Sequence, residues 1–419
     1  MRRVAAVDLG ATSARVGVVD LDAEPLRVEI VHRYQHQPVV WSDGTLRWDW
    51  ARLVKEVERG LGFAAAAGPL ASIGVDTWGV DYGLLDQRGA LVAPPYSYRD
   101  SRTAGWEAVA DRLGHERLYR TTGIQLMAVN TVFQLEAHPR NELDAASQLL
   151  MLPELLVHHL TGVVTGEVTS AGTSALVDIA TATWSADLLA GVGADPALFP
   201  PIAPAGTAVG NWRGVPVHLV GGHDTASAVA ARPPGAPVAS AFVSAGTWLL
   251  VGAERPVADT SEAARLANFS NEPGVRGGVR FLKNVTGLWL LERCRAQWGD
   301  VPTAAARRGP VIDPNEARFA NPPDMEAEIR AAAPLDAAAG RDVVVRCIFD
   351  SLAAAVARVV DELSTFIGSR VERVDVLGGG ARIELLLRLI EEACGVPVAV
   401  GPAEATALGN AIVQRDALA

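Results

Sequence analysis

Residues 7 to 15 read V-D-L-G-A-T-S-A-R, and the fold follows from what flanks them. Residues 4 to 9 and 14 to 20 are apolar, β-rich runs. Gly10, Ala11, Thr12 and Ser13 lie between them, which predicts a hairpin with a small-residue turn. Residues 27 to 34 supply a third strand. Trp50, Leu53, Val54, Val57 and Leu61 recur at helical spacing within 48 to 63, and residues 72 to 76 return to strand. Three strands, a helix and a strand make a mixed α/β opening. No G-x-G-x-x-G follows the first strand, so a dinucleotide-binding alternation is excluded.

The same theme returns past the middle. A Pro/Gly-rich segment, R-P-P-G-A-P at 232 to 237, reads as a hinge. After it come an apolar run at 239 to 244, Gly246, and a second run at 248 to 252, with V-S-A-G-T at 243 to 247 as the new turn. A strand–hairpin–strand unit in two copies predicts an α/β fold of two actin-like, or ribonuclease-H-like, domains with a catalytic cleft between them. The domains are expected at 1–231 and 238–419, with the hinge near 232–237. Towards the end, 371 to 377 reads as a strand, Gly378-Gly379-Gly380 as a tight turn and 384 to 393 as a helix, with a last helix from about Glu404. Residues 300 to 342 are rich in Pro, Ala and Arg and poorly patterned, and are expected to be an excursion over the surface.

At 419 residues the chain exceeds one compact core. Its 49% hydrophobic and 20% charged residues describe a globular protein rather than a disordered one. A net charge of −11 argues against nucleic acid and anionic membranes as partners, although all but two of the 37 basic residues are arginines. Cys294, Cys347 and Cys394 stand far apart with no C-x-x-C pair, which fits a reducing cytoplasm and argues against a structural zinc or a disulfide scaffold. The opening M-R-R-V-A-A-V-D-L-G meets Asp8 before any long apolar core, unlike a secretory signal, and no run approaches a membrane span. The sequence leaves the oligomeric state open.

The chemistry concentrates at the turns. Gly10 and Ala11 let backbone amides approach a phosphate, Thr12 and Ser13 add hydroxyls, and Ala14 and Arg15 complete the cradle, Arg15 with a charge. Asp8, at the strand end, suits a Mg²⁺ ion that keeps its waters, or else caps the turn. Ser244 to Thr247 form a second cradle. In G-G-H-D-T at 221 to 225, Asp224 suits a general base, with His223 on the substrate or steadying the Asp. The same Asp224 precedes the apolar run 226 to 231, where Asp is favoured as a helix cap. D-T-W-G-V-D at 76 to 81 offers Gly79 for close backbone approach and Trp78 as an aromatic face or as core. Arg99 and Arg102 flank Asp100, which suits a sugar site or an internal ion pair. Lys283 reads as a solvated helix-start lysine, and Gly379 and Gly380 leave backbone bare for a nucleotide.

Taken in order, these stretches resemble the FGGY family of carbohydrate kinases, and within it the kinases of L-rhamnulose most closely. The similarity rests on V-D-L-G-A-T-S-A-R (7–15), G-V-D-T-W-G-V-D-Y-G (74–83), P-Y-S-Y-R-D-S-R-T (95–103), G-I-Q-L-M-A-V-N-T (123–131) and G-H-D-T-A-S-A-V (222–229). It continues through A-F-V-S-A-G-T-W (241–248), N-F-S-N-E (268–272), R-F-L-K-N-V-T-G (280–287), V-L-G-G-G (376–380) and G-P-A-E-A-T-A-L-G-N (401–410). The resemblance implies ATP and Mg²⁺ as cofactors and phosphorylation of L-rhamnulose at O1. It implies Asp224 as the base, and Gly79, Trp78, Arg99, His223, Thr225 and Asn284 on the sugar. It places Thr247, Glu292, Gly379 and Gly380 at the nucleotide beside the first cradle, with Asp8 at the metal. Glu292 stands where the family pattern has Gln, and Ile383 where it has Asn. Another ketose, or a non-catalytic sugar or nucleotide sensor on the same scaffold, are the alternatives.

Overall fold

The protein, seen in a computed structural model, is described at every residue except Met1, Pro234, Ala236, Pro237 and Ala337. The chain divides into two compact units. The first comprises Met1–Ala231, Glu254–Phe281 and Thr406–Ala419, and the second Arg232–Ala253 and Leu282–Ala405. Three residues of the expected hinge, Pro234, Ala236 and Pro237, lie outside the described residues.

The first sheet contains β1 (Arg3–Leu9), β2 (Ser13–Asp20), β3 (Val28–Gln35), β4 (Ser72–Thr77), β5 (Ala208–Trp212) and β6 (Val215–His223). Their order is β5-β6-β4-β1-β2-β3. β1 pairs antiparallel with β2, which pairs antiparallel with β3, while β1, β4 and β6 run parallel. The interior strands are apolar on both faces, and β1 is buried from Val4 to Leu9, as parallel strands covered on both sides must be. α1 (Trp50–Ala66) begins where Asp49 accepts from the Arg52 amide at 3.1 Å, and buries Trp50, Leu53, Val57 and Leu61. Gly60 lets this helix lie on β2, because a Cβ there would stand 2.5 Å from a Val16 methyl.

The second sheet contains β7 (Ser240–Ala245), β8 (Trp248–Arg255), β9 (Ser270–Pro273), β10 (Val279–Thr286), β11 (Arg373–Leu377) and β12 (Val398–Val400). Its order is β9-β10-β8-β7-β11-β12. β7 is antiparallel to β8 and parallel to β11, and β11 is parallel to β12. Each sheet therefore carries one five-strand path, third-second-first-fourth-fifth: β3-β2-β1-β4-β6 in one, β10-β8-β7-β11-β12 in the other. The faint repeat in the sequence is this shared topology.

In chain order the helices used below are α2 (Asp224–Ala230), α3 (Trp289–Trp298), α4 (Arg341–Ile367), α5 (Glu384–Cys394) and α6 (Ala405–Ala417). Two expectations need correction. Residues 300 to 342 are not only a surface excursion: they hold a helix, Met325–Ala332, whose Met325 and Ile329 are fully buried, as is Phe319. Its apolar residues recur four apart, a face obscured by the surrounding Pro and Ala. Lys283 is not at a helix start but within β10, paired with Glu362 of α4.

Candidate active site

In the first unit, the carboxyl ends of β1, β4 and β6 carry three acids. The parallel register sets Asp8 beside Asp76, and His223 beside Thr77. Asp224 follows as the first residue of α2. Ligand sites in open α/β sheets lie at such strand ends. Asp8 meets Arg15, with Nε 3.2 Å from Oδ2. Burial first, then the negative charge of Asp8 and of Asp224, holds the Asp76 carboxyl well above the usual carboxylate range. Asn410 of α6 donates to Asp76 Oδ2 at 2.6 Å, whereas Oδ1 is buried with no hydrogen-bond partner among the described residues. These hard oxygen donors suit a Mg²⁺ ion that keeps most of its waters. Among the described residues, no group of three or more His, Cys, Asp or Glu is arranged to hold a metal directly.

The β1–β2 turn closes by the Gly10 amide donating to Ser13 at 3.0 Å. Its far side is braced by His36, whose amide donates to Thr12 at 3.2 Å and whose Nε2 lies 2.9 Å from the Gly10 carbonyl. Burial pulls His36 down to about 4, so the ring is neutral and donates from Nε2. Among the described residues no partner in the chain takes the amides of Ala11 and Thr12. Free amides on a partly exposed turn are what an anion needs. Ala14 points into the sheet and is fully buried.

Asp224 does not cap its helix. His223 holds the cap position, and no side chain bonds the first turn. The Asp224 carboxyl, 28% exposed, receives the Thr225 hydroxyl on Oδ1 at 3.1 Å, and His223 Nε2 approaches the same oxygen at 3.4 Å. Among the described residues nothing in the chain donates to Oδ2. One oxygen is thus held and the other is open to accept from a donor outside the chain. The backbone leading to it is fixed from behind. Glu167 accepts the Gly222 amide at 3.0 Å, and the Thr169 hydroxyl, itself bonded to Glu167, accepts the His223 amide at 3.2 Å.

The D-T-W-G-V-D segment is built around Asp81. This buried carboxyl accepts from the indoles of Trp48 at 2.7 Å and Trp78 at 3.0 Å, from the Tyr98 amide at 3.2 Å and from Gln134 at 3.1 Å. Burial nevertheless pushes Asp81 up to about 6. The Trp78 ring is buried, 4.3 Å from Trp48 and 5.6 Å from His36 between centroids. Val80 has φ +69°, rare for a β-branched residue. Thr173 accepts its amide, and Thr131 and Gln134 donate to its carbonyl, which together hold that conformation. Gly79 faces Thr173, which a Cβ would approach to 2.9 Å. Arg102 turns inward to Asp100 at 3.6 Å and Gln134 at 2.6 Å, the internal pairing rather than a sugar contact. Arg99 lies over the Tyr98 ring, 5.0 Å from its centroid.

In the second unit, Gly246 and Thr247 make the β7–β8 turn. Their carbonyls are capped by the amides of Leu288, at 3.0 Å, and of Gly287 and Trp289, each at 3.1 Å. The Thr247 hydroxyl reaches Glu292 of α3 at 3.3 Å, so two expected nucleotide residues meet. Gly378, at φ +81°, and Gly380 both lie against Ala245 at the end of β7; a Cβ on Gly380 would clash at 2.5 Å, and one on Gly378 would stand tightly at 3.1 Å. Gly379 faces open space. Ile383 precedes α5, and Asn284 lies on β10, partly buried.

Paired small-residue hairpins on duplicated sheets, with an open carboxylate at the end of β6, agree with the sequence families. The chain matches the N-terminal domain of the FGGY family of carbohydrate kinases over residues 4–229 and the C-terminal domain over 241–417. It belongs to the FGGY family of carbohydrate kinases. It is 39% identical over 437 residues to a rhamnulokinase of Bacteroides thetaiotaomicron, covering 98% of this chain and 89% of that protein. Among solved structures it resembles a xylulose kinase from Brucella ovis, with TM-score 0.76, 19% identity, and coverage of 99% and 91%. It also resembles a Plasmodium falciparum glycerol kinase, with TM-score 0.71, 14% identity, and coverage of 100% and 90%. These structures share the two-domain FGGY fold of actin-like architecture. No described helix is long and apolar enough to cross a membrane.

Sequence reasoning overlooked the residues that hold this FGGY site from behind: His36, Trp48, Glu167 and Thr173. None stands in a glycine-rich turn. Glu272 and Arg280 lay inside N-F-S-N-E and R-F-L-K-N, and those motifs were the available signal.

Proposed function

We propose that this kinase phosphorylates L-rhamnulose at O1 with ATP, giving L-rhamnulose 1-phosphate and ADP in the cytoplasm. The observation that carries the reading is Asp224, with Oδ1 occupied by Thr225 and His223 and Oδ2 open. The choice of sugar follows the 39% identical rhamnulokinase.

The acceptor hydroxyl donates to Asp224 Oδ2. As the O1–phosphorus bond forms and the bond from the γ-phosphorus to ADP breaks, the O1 proton passes to that carboxylate. His223 orients the carboxylate and reaches the sugar, as do Gly79, Trp78, Arg99, Thr225 and Asn284. The amides and hydroxyls at Ala11 to Ser13, with Arg15, hold phosphate oxygens, and Ala14 sets the turn's anchor in the sheet. Thr247, Glu292, Gly379 and Gly380 take the nucleotide. Asp8 would hold a Mg²⁺ ion, which would neutralise phosphate charge there.

The test is sugar-dependent ADP release from Mg-ATP with L-rhamnulose beside L-fuculose, L-ribulose, D-xylulose and no sugar. L-rhamnulose is expected to give the highest kcat/KM. A higher value for another ketose would move the substrate and keep the mechanism. ATP binding without any sugar-dependent turnover would overturn the enzyme reading in favour of a sensor.

A further inference from the structure

Behind His223 lies a buried ion pair outside the machinery described above. Glu272, on β9, and Arg280, on β10, are 4% and 1% exposed, with Arg280 Nη2 3.1 Å from Glu272 Oε2. Both reach one atom of the imidazole. Arg280 Nη2 is 3.2 Å from His223 Nδ1, and Glu272 Oε2 is also 3.2 Å from it. The other ring nitrogen, Nε2, faces Asp224 Oδ1 at 3.4 Å. Arg280 is further fixed by its Nε donating to the Pro273 carbonyl at 3.2 Å.

The two partners of Nδ1 make opposite demands. A guanidinium can only donate, so it needs the Nδ1 lone pair, whereas a carboxylate needs Nδ1–H. The far side of the ring decides between them. With the proton on Nδ1 of a neutral ring, the Nε2 lone pair would face the Asp224 carboxylate, acceptor against acceptor. With both nitrogens protonated, an imidazolium would stand 3.2 Å from the guanidinium, cation against cation. The tautomer with hydrogen on Nε2 sets no two like groups against each other: Arg280 donates to Nδ1, Nε2–H faces Asp224 Oδ1, and the Arg280 charge balances Glu272, whose Oε2 accepts no hydrogen bond among the described residues. Burial works against the Glu272 charge, but Arg280, and after it His223, hold the carboxyl below the usual carboxylate range.

We propose that Arg280 and Glu272 are positioning residues that fix the tautomer of His223 and thereby reserve one oxygen of Asp224 for the acceptor hydroxyl. This rests on the reading of Asp224 as the base. Arg280 sets which nitrogen carries the proton, and Glu272 holds Arg280 in place and balances its charge in the core. His223 then joins the Thr225 hydroxyl on Oδ1. Oδ2 is left with its lone pairs directed to the substrate.

The test is nitrogen NMR of the full chain labelled with [¹⁵N]histidine, the His223 signals being assigned by their loss in His223→Gln. Without substrate, His223 is expected as a neutral ring with the proton on Nε2. Arg280→Met is expected to move that proton to Nδ1, where Glu272 waits. Kinetically, Arg280→Met is expected to lower kcat about tenfold or more, with the sugar KM changed less than about threefold. Added to Asp224→Asn, it is expected to cost nothing further, since its effect runs through that carboxylate. Glu272→Gln keeps an acceptor for Arg280 and is the second variant. It is expected to retain the Nε2 tautomer with a smaller loss of kcat. A proton on Nδ1 in the wild-type protein, an unchanged tautomer in a folded Arg280→Met, or a full additional loss in the Asp224→Asn background would each overturn the proposal. If Arg280→Met does not fold, the wild-type tautomer and Glu272→Gln decide the matter alone. The tautomer is read without any sugar, so a wrong substrate assignment leaves this result standing.

Discussion

Gly409→Ala is expected to damage both stability and turnover, through a contact far from any ligand in sequence. Gly409 lies on α6 where that helix crosses α2 backbone to backbone. A Cβ there would stand 1.7 Å from the Ser227 carbonyl oxygen and 2.6 Å from its carbon. Real Cβ atoms essentially never come within 3.0 Å, and the obstacle is main chain, so no rotamer relieves it. The two helices must separate by about 1.3 Å, as the difference between 3.0 and 1.7 Å requires. Overpacking of this kind costs about 1–3 kcal/mol, and the melting temperature should fall by several degrees. Ser227 sits three residues after Asp224 in the same short helix, so the carboxylate moves with it. On α6 the neighbouring Asn410 loses its place on Asp76. A misplacement of about 1 Å at the reacting group costs on the order of a hundredfold in rate. Thermal unfolding and steady-state ADP release measure the two effects on one preparation. A variant that melts with the wild type and keeps kcat within about twofold would refute the reasoning that this crossing positions the base.

Three further outcomes are expected. Thr225→Val removes one donor to Asp224 Oδ1, and a hydrogen bond to a charged group is worth about 1.5–3 kcal/mol, so kcat should fall about tenfold to a hundredfold with ATP affinity unchanged. Asp81, pushed by burial to about 6 against an ordinary 3.8, keeps its proton in the folded state over a range where the unfolded chain has lost it. Its contribution is therefore most favourable near the lower value and is lost as pH rises through the upper one. Asp81→Asn should flatten that part of the pH dependence of the melting temperature while lowering it at every pH, because one amide oxygen cannot accept from four donors. Glu292→Gln keeps an oxygen at the nucleotide but removes a negative charge beside the Thr247 turn, and should lower the KM for ATP, read from ADP release at saturating sugar; a raised KM would mean that the nucleotide site needs the charge itself.

The parts of the fold that announced themselves were those set by short-range rules. β1, the small-residue turn and β2 were legible because alternation and turn chemistry act within ten residues, and the second hairpin at Gly246 for the same reason. Asp224 was legible as an Asp before an apolar run, but its cap and base readings could not be separated from spacing. The structure puts His223 at the cap position instead, and the partners of the Asp224 carboxyl are Thr225 next door and His223 held by distant strands. Asp81 shows the limit more sharply. Trp78 and Asp81 are three apart, yet Trp48, Tyr98 and Gln134 converge on the same carboxyl from other segments, and no local pattern encodes that convergence. Gly79 read as a place for substrate against bare backbone, and Thr173, which fills the space a side chain would need, is a second demand for glycine that no local pattern shows. Helix Met325–Ala332 escaped notice because its buried stripe is two residues wide and set in Pro- and Ala-rich sequence. Buried partners chosen by tertiary packing leave little mark on the sequence around them.

Turnover of Asp224→Asn with L-rhamnulose and Mg-ATP tests the central claim most directly, with ATP binding measured on the same protein. Loss of a positioned general base predicts a fall in kcat of about a hundredfold to ten-thousandfold with ATP affinity unchanged. A kcat within about threefold of wild type would show that Asp224 does not take the proton, and would contradict the account.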